Sequence, residues 1–109
     1  MKKLFIAALA VVALAGCKED GSSFVGEWKY NEGRRGETIT VTEADGGYRV
    51  IAKLDGDEKG YMNVEVVAKA ESETLLVREK DGKRALEIAD NGKMTSYLRN
   101  KAKDFSKVN

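Results

Sequence analysis

The chain has no histidine, no proline and a single cysteine among its 109 residues. Without histidine, catalysis by a Ser-His-Asp or Cys-His arrangement is excluded, and so are the common zinc sites with histidine ligands. One cysteine permits no intramolecular disulfide and no CxxC redox pair. The 19 basic and 18 acidic residues nearly cancel, so the charge gives no reason to expect a nucleic-acid partner. A length of 109 residues predicts one domain, and the missing residue types predict that it is non-enzymatic and without a metal or other cofactor.

No apolar run is long enough to span a bilayer as a helix. After Met1-Lys2-Lys3, thirteen uncharged and mostly apolar residues extend from Leu4 to Gly16. A helix of that length covers about 20 Å, whereas a hydrocarbon core of about 30 Å requires about 20 residues. A basic start, a short apolar stretch and small residues are typical of a secretory signal peptide. We therefore predict a signal peptide at residues 1–16.

The segment Leu14-Ala15-Gly16-Cys17 resembles the lipobox of bacterial lipoprotein precursors and contains the one cysteine of the chain. The resemblance implies cleavage between Gly16 and Cys17, a diacylglyceryl group on Cys17, and acylation of the new amino terminus, for example with palmitate. Two or more acyl chains give stable membrane attachment. In the lipoproteins that the segment resembles, an aspartate directly after the cysteine favours retention in the inner membrane. This chain has Lys18 at that position, so the resemblance implies localisation at the periplasmic face of the outer membrane. An ordinary signal peptide that happens to contain a cysteine is the alternative.

Processing would change the composition of the chain. Removal of residues 1–16 leaves 93 residues with 17 basic and 18 acidic side chains. Residues 17–23 comprise the lipidated cysteine and a polar stretch that contains glycine and serine and lacks apolar periodicity, so they predict a flexible tether. The folded domain is predicted at residues 24–109.

Apolar and polar residues alternate from Phe24 onward. This period of two, enriched in β-branched and aromatic residues, is typical of half-buried strands. Seven such runs occur, at residues 24–30, 37–43, 48–54, 62–69, 74–79, 84–89 and 94–100. Asp-Gly and Asn-Gly pairs between runs provide tight turns, so successive strands are predicted to be antiparallel. A brief helical turn is predicted near residues 101–106.

An open sheet with one apolar face would leave that face and its edges uncovered, so closure is favoured. We predict an all-β fold, a small antiparallel meander of about seven strands forming a closed or half-closed barrel. Gly26-Glu27-Trp28, at the start of the first strand, resembles the G-x-W motif of lipocalins. The resemblance implies a lipocalin-like barrel closed by a pair in which Arg99 covers the Trp28 ring. The mature chain is much shorter than lipocalins, so the resemblance extends no further.

The inward-facing residues have two interpretations. They fill the barrel as a core, or they line a cavity for a small apolar ligand. The possible lining residues are Trp28, Tyr48, Met62, Val64 and Leu75. Three further apolar residues fall on the opposite face: Ile51, Val67 and Leu76. They are either scattered or covered by the C-terminal tail, or they form an exposed contact patch. The acidic group Asp55, Asp57 and Glu58 lacks the full calcium-loop spacing and predicts a polar turn.

Two functional hypotheses follow. In the first, the protein is a lipid-anchored, non-enzymatic binding or envelope-maintenance module whose partner is the membrane together with an envelope protein or the cell wall. In the second, it carries or senses a small apolar ligand inside the barrel. In a third and weaker hypothesis, the protein is an inhibitor that presents a loop to a foreign enzyme. Families of such inhibitors usually have a disulfide in the barrel, which this chain cannot form. No residue is assigned a catalytic or metal-binding role, and the sequence predicts no oligomeric state.

Overall fold

A computed structural model describes residues 20–31 and 35–108. They form one 3₁₀ turn, Ser22–Phe24, and the strands β1 (Gly26–Tyr30), β2 (Glu37–Ala44), β3 (Gly47–Leu54), β4 (Val64–Ser72), β5 (Leu75–Arg78), β6 (Arg84–Ile88), β7 (Met94–Ser96) and β8 (Lys103–Lys107). Each strand pairs antiparallel with its neighbours in the chain, and β1 also pairs with β8. The sheet is therefore closed, which confirms the predicted antiparallel barrel.

The structure has one strand more than the seven predicted. Residues 103–107, which overlap the helical turn predicted near residues 101–106, form β8 and close the barrel between β7 and β1. Only Phe105 of this strand is fully buried, and charged residues occupy most other positions, so its alternation is too short to recognise. Pairing on both sides stabilises it: Phe105 lies opposite Met94, and Lys107 lies opposite Trp28. Closure removes the free edges of β1 and β7.

The meander gives the barrel two ends. The near rim is the end with the 3₁₀ turn and the β2–β3 hairpin, and the far rim is the end with the β1–β2, β3–β4, β5–β6 and β7–β8 loops. The strands β2 and β3 have eight residues each. At about 3.3 Å per residue and a tilt of about 40°, such strands separate the two rims by roughly 20 Å.

Side chains fill the interior of the barrel. The three largest fully buried side chains are Phe24, Trp28 and Phe105, none more than 2% exposed. The rest of the buried cluster consists of smaller apolar residues and one tyrosine: Ile39, Val41, Tyr48, Val50, Ala52, Ala68, Leu76, Ala85, Leu86, Met94 and Leu98. Each fully buried large apolar side chain contributes about 1.5–3 kcal/mol to stability. This packing favours the core interpretation of the inward-facing residues over the cavity interpretation.

The segment before β1 covers the near rim. The 3₁₀ turn inserts Phe24 into the core, and the carbonyl of Phe24 accepts a 2.9 Å hydrogen bond from Trp28 Nε1. The Tyr48 hydroxyl donates to the carbonyl of Asp20 at 2.8 Å. Gly21 has φ 91°, and a Cβ there would lie 2.8 Å from the Tyr48 ring. The polar segment predicted as a flexible tether therefore packs onto the barrel from Asp20 onward.

Strand β5 departs from simple alternation because register shifts interrupt both of its ladders. A bulge turns the following residues relative to the two faces of a sheet. Leu76, predicted to face outward, is fully buried in the core, whereas Leu75, predicted to face inward, is half-buried. Of the other two residues predicted outside, Ile51 is half-buried and Val67 is 45% exposed. These three predicted outward residues therefore do not form one exposed patch.

Candidate functional site

The predicted cleavage and lipidation residues, Gly16 and Cys17, lie outside the described residues. Three residues after Cys17, Asp20 is already bound to the near rim. Three residues of extended chain span at most about 11 Å, which is the largest distance that the chain allows between Asp20 and the predicted attachment residue. The far rim lies at the opposite end. Within the described residues, no helix has the length and apolar character needed to cross a bilayer.

The cation next to Trp28 is a lysine. The Lys107 ammonium lies over the indole ring, 5.5 Å from its centroid, because the β1–β8 ladder places Lys107 opposite Trp28. Arg99, the predicted partner, lies in the β7–β8 loop at the far rim, where its guanidinium binds Glu37. The predicted Trp28–Arg99 pair is therefore corrected to Trp28–Lys107. Contacts of this kind contribute about 0.5–1 kcal/mol at exposed sites.

A buried carboxylate with two cationic partners closes the far rim. Glu37 is 1% exposed; its Oε2 accepts from Arg99 Nε at 2.8 Å and its Oε1 from Lys103 Nζ at 3.4 Å. Arg99 Nη2 also donates to the Ala52 carbonyl at 3.5 Å. The Lys103 ammonium lies 5.0 Å from the centroid of the Tyr30 ring. These charged groups compensate one another, and removal of Glu37 would leave two mostly buried cations without a counter-charge.

Reasoning from the sequence missed this network, although part of the signal was available. Glu37 precedes Ile39 and Val41 at even intervals, so the alternation places it on the inward face. A glutamate on a buried face requires a charged or hydrogen-bonding partner. Its partners follow 62 and 66 residues later in the chain, and only the closure of the barrel brings them together.

The predicted ligand-lining residues have different surroundings. Trp28 and Tyr48 belong to the buried core, and Val64 packs against the margin of that core. Leu75 is half-buried at the near rim. Met62 is 50% exposed and lies two residues before Val64, the first residue of β4. Its assignment as an inward strand residue is wrong, because the alternation extends the predicted strand into the β3–β4 loop.

The β3–β4 loop is ordered by one aspartate. The Asp57 carboxylate accepts hydrogen bonds from the backbone N–H groups of Tyr61, at 3.2 Å, and Met62, at 2.7 Å. Both oxygens are thus used within the loop, as expected for a polar turn. The loop presents Tyr61, 81% exposed, and Met62 to solvent at the far rim. The described residues contain no group of three side chains suited to hold a metal ion.

A cleft of about 380 Å³ opens in the barrel wall at the far rim. It lies between β4 and the β5–β6 hairpin and is lined by Glu65, Val66, Val67, Arg78, Glu79, Lys80 and Asp81. The cleft exists because β5 ends at Arg78, opposite Ala68. The N–H of Glu79 still donates to the Val67 carbonyl, and residues 64–66 of β4 extend past this last hydrogen bond. Arg78 Nε is buried and has no hydrogen-bond partner among the described residues, while Nη2 donates to the Tyr97 carbonyl at 3.5 Å.

A second cleft, of about 550 Å³, lies at the near rim. The β2–β3 hairpin, Lys69 and Ala70 line it, together with Asp20 from the segment before β1. Its charged groups are the carboxylates of Asp20, Glu43 and Asp45 and the ammonium of Lys69. Both clefts thus open to solvent at the rims, outside the packed interior.

Fold and site together define a small closed β-barrel whose N-terminal segment is folded against one rim. Residues 1–17 match the family described as the prokaryotic membrane lipoprotein lipid attachment site. The chain is therefore a lipoprotein precursor, anchored to the cell envelope through lipid on its N-terminal cysteine. It matches no curated protein and no solved structure. The lipocalin-like resemblance stays a prediction.

Proposed function

We propose that the protein is a non-enzymatic binding module held at the periplasmic face of the outer membrane by lipid on Cys17. The observation that carries this proposal is the contact of Asp20 with the near rim, which leaves two residues between Cys17 and the folded domain. An anchor this short holds the near rim at the bilayer and directs the far rim away from it. The exposed side chains of Tyr61 and Met62 then face the periplasm.

The choice of membrane rests on Lys18. In lipoproteins of the kind that the lipobox resembles, an aspartate at this position favours retention in the inner membrane. The lysine supports transfer to the outer membrane, with the barrel on its periplasmic face.

The chemistry of the barrel supports binding rather than catalysis. The buried charged groups at the far rim, Glu37, Arg99 and Lys103, are bound to one another. The sequence contains no histidine that could move a proton near neutral pH. The functional surface is then the outside of the barrel, because Phe24, Trp28 and Phe105 occupy the interior. This packing speaks against a ligand carried inside the barrel.

Fractionation of the cell envelope tests the anchor and its membrane. We expect mass spectrometry to find a lipidated Cys17 at the amino terminus of the protein in the outer-membrane fraction. Lys18→Asp should move the protein to the inner membrane, and Cys17→Ser should abolish the lipid. An unmodified Cys17 in a soluble product would overturn the proposed anchoring.

Site-specific photo-crosslinking in cells tests the binding role. A photoreactive residue replaces Tyr61 at the far rim, and the matched control carries it in place of Gly46, an open turn position at the near rim. We expect discrete protein or cell-wall adducts from position 61 and lipid adducts from position 46. If position 61 gives no adduct under conditions in which position 46 labels lipid, the binding function is wrong.

A further inference from the structure

We propose that an extended peptide binds as an added strand in the seam between β4 and the β5–β6 hairpin, with a peptide carboxylate paired to Arg78. The inference rests on the proposed binding function and names its site and partner class. Three separate observations converge on the seam: a free backbone edge, an unpartnered guanidinium nitrogen, and exposed apolar side chains.

The backbone of β4 lacks a neighbour on one side of the seam. Strand β3 pairs with β4 from Val64 onward, whereas the ladder with β5 starts only at Ala68. The Val67 carbonyl accepts a 3.0 Å hydrogen bond from the N–H of Glu79, so the backbone groups of Val67 face the seam. Those of Glu65, two residues earlier, face the same way. In the described part of the chain, no backbone hydrogen bond from the hairpin reaches the Val67 N–H or Glu65.

The guanidinium group of Arg78 supplies the polar determinant. Arg78 lies opposite Ala68, which is fully buried in the core, so the Arg78 side chain enters the same side of the sheet at the mouth of the seam. Its Nε is buried without a partner among the described residues. A buried charged donor without an acceptor is unfavourable, and a carboxylate is its strongest complement. The seam therefore favours an acidic group directly inside its mouth.

The apolar determinants lie on β4 and in the loop that leads into it. Among residues 20–31 and 35–108, three of the four exposed large apolar residues are in β4 or in the loop before it: Tyr61 is 81% exposed, Met62 50% and Val67 45%. Exposed apolar groups beside an unpaired strand edge are the features by which proteins capture an additional strand.

The acidic side chains of the seam leave room for a further carboxylate. Glu65 pairs with Arg49 on the outer face at 3.3 Å. Asp81 Oδ1 accepts from the N–H of Lys83 at 2.9 Å and so stays within the hairpin turn. Glu79 and Lys80 are adjacent residues of opposite charge at the lip of the cleft. Arg78 is thus the charged group that faces the inside of the seam.

The geometry of an added strand sets the sequence pattern of the partner. Its side chains alternate between the two faces. Those pointing inward meet Arg78 and should be acidic, while those pointing outward lie beside Val67 and should be apolar. A second copy of β4 fits poorly, because its Glu65 faces outward and its Val66 would meet Arg78. The occupant is therefore a different polypeptide, an extended segment in which acidic and apolar residues alternate.

The proposal can be tested by NMR titration. The probe is a blocked pentapeptide, acetyl-Thr-Val-Asp-Val-Thr-amide, whose side-chain pattern is the same in both directions and so serves parallel and antiparallel pairing. It is added to the processed, lipidated, ¹⁵N-labelled protein in detergent micelles. We expect shift changes and slowed hydrogen exchange at the amides of Glu65 and Val67 and a shift of the Arg78 Nε–H signal. The asparagine version of the probe should bind about tenfold more weakly, because the charged hydrogen bond is lost.

Two variants and a matched control make the test specific. Arg78→Gln removes the proposed cation, and Val67→Pro removes the N–H that the barrel leaves unused. Arg84→Gln makes the same charge loss on the adjacent strand, outside the cleft lining. With folding confirmed by the NMR spectrum, we expect the first two variants to weaken probe binding about tenfold or more and the control to leave it unchanged.

Several results would overturn the proposal. The first is an unaltered affinity of the folded Arg78→Gln variant for the probe. The second is the absence of amide shift changes at Glu65 and Val67 with millimolar probe. The third is a shift of these amide signals that depends on protein concentration in the absence of probe. The last result would make a second copy the occupant. Absence of probe binding together with crosslinks from position 61 would refute the seam and leave the binding function intact. Absence of both would refute both.

Discussion

Replacement of Glu37 by glutamine tests whether the ion network stabilises the far rim. Glutamine keeps the size of the side chain and removes the charge that faces Arg99 and Lys103. The two cations, whose side chains are 18% and 24% exposed, would then lack a counter-charge. Removal of one member of a fully buried pair costs about 3–5 kcal/mol. Because both cations keep some contact with water, we expect a loss of about 2–3 kcal/mol in the free energy of unfolding.

The assay is urea unfolding of the mature chain with Cys17→Ser, which needs no lipid. Trp28 is the only tryptophan and is 2% exposed, so its fluorescence reports loss of the core. With an m-value of about 1 kcal/mol/M, the expected loss lowers the urea midpoint by roughly 2–3 M. Glu65→Gln is the matched control, because Glu65 and Arg49 are each 56% exposed. An exposed pair of this kind contributes at most about 1 kcal/mol.

A double-mutant cycle separates the network from general effects of substitution. If Arg99→Gln is added to Glu37→Gln, the combined loss should be smaller than the sum of the single losses by about 1 kcal/mol or more. Equal destabilisation by Glu37→Gln and Glu65→Gln, or strictly additive losses in the cycle, would refute the role of the network in stability.

Three further predictions use the same unfolding assay or hydrogen exchange. Gly21→Ala should lower the free energy of unfolding by about 2 kcal/mol or more, and Gly46→Ala by about 1 kcal/mol. Both glycines have positive φ, but of the two only Gly21 has neighbouring atoms that a Cβ would meet. Equal losses for the two variants would contradict this reasoning. Asp57→Ala should speed exchange of the two loop amides that it binds and change stability by less than about 1 kcal/mol, whereas Asp57→Asn should retain part of the protection. Lys107→Met should cost about 1 kcal/mol and shift the emission of Trp28; an unchanged spectrum would argue against their contact.

The alternation of apolar and polar residues was sufficient to predict an antiparallel barrel, because that pattern is local. It failed where neighbouring strands decide the outcome. In β5, three apolar residues follow one another, and only the bulges determine that Leu76 faces the core and Leu75 lies at its margin. In β8, a single buried residue, Phe105, offers no period, and the strand forms because β1 and β7 pair with it.

The candidate site was less predictable than the fold. The lipobox is contiguous in sequence and was recognised from residues 14–17. The relative positions of Trp28 and Arg99 depend on the stagger of the strands, which the sequence pattern does not specify, so the predicted pair was wrong. The seam likewise arises from the different lengths of β4 and β5. Where a ladder ends depends on contacts between strands, and these contacts are not local in the sequence.

The ladder between β1 and β8 also sets the order in which the protein can be exported and folded. The first and last strands lie almost the full length of the domain apart, and the barrel closes only when both are present. Contacts between such distant segments form late, because the intervening chain must first be brought together. As long as the last strand has not crossed the membrane, the barrel therefore cannot close, and export does not require unfolding of a closed barrel. Because the β1–β8 ladder closes the barrel last, the chain stays without a closed barrel until its last strand is available.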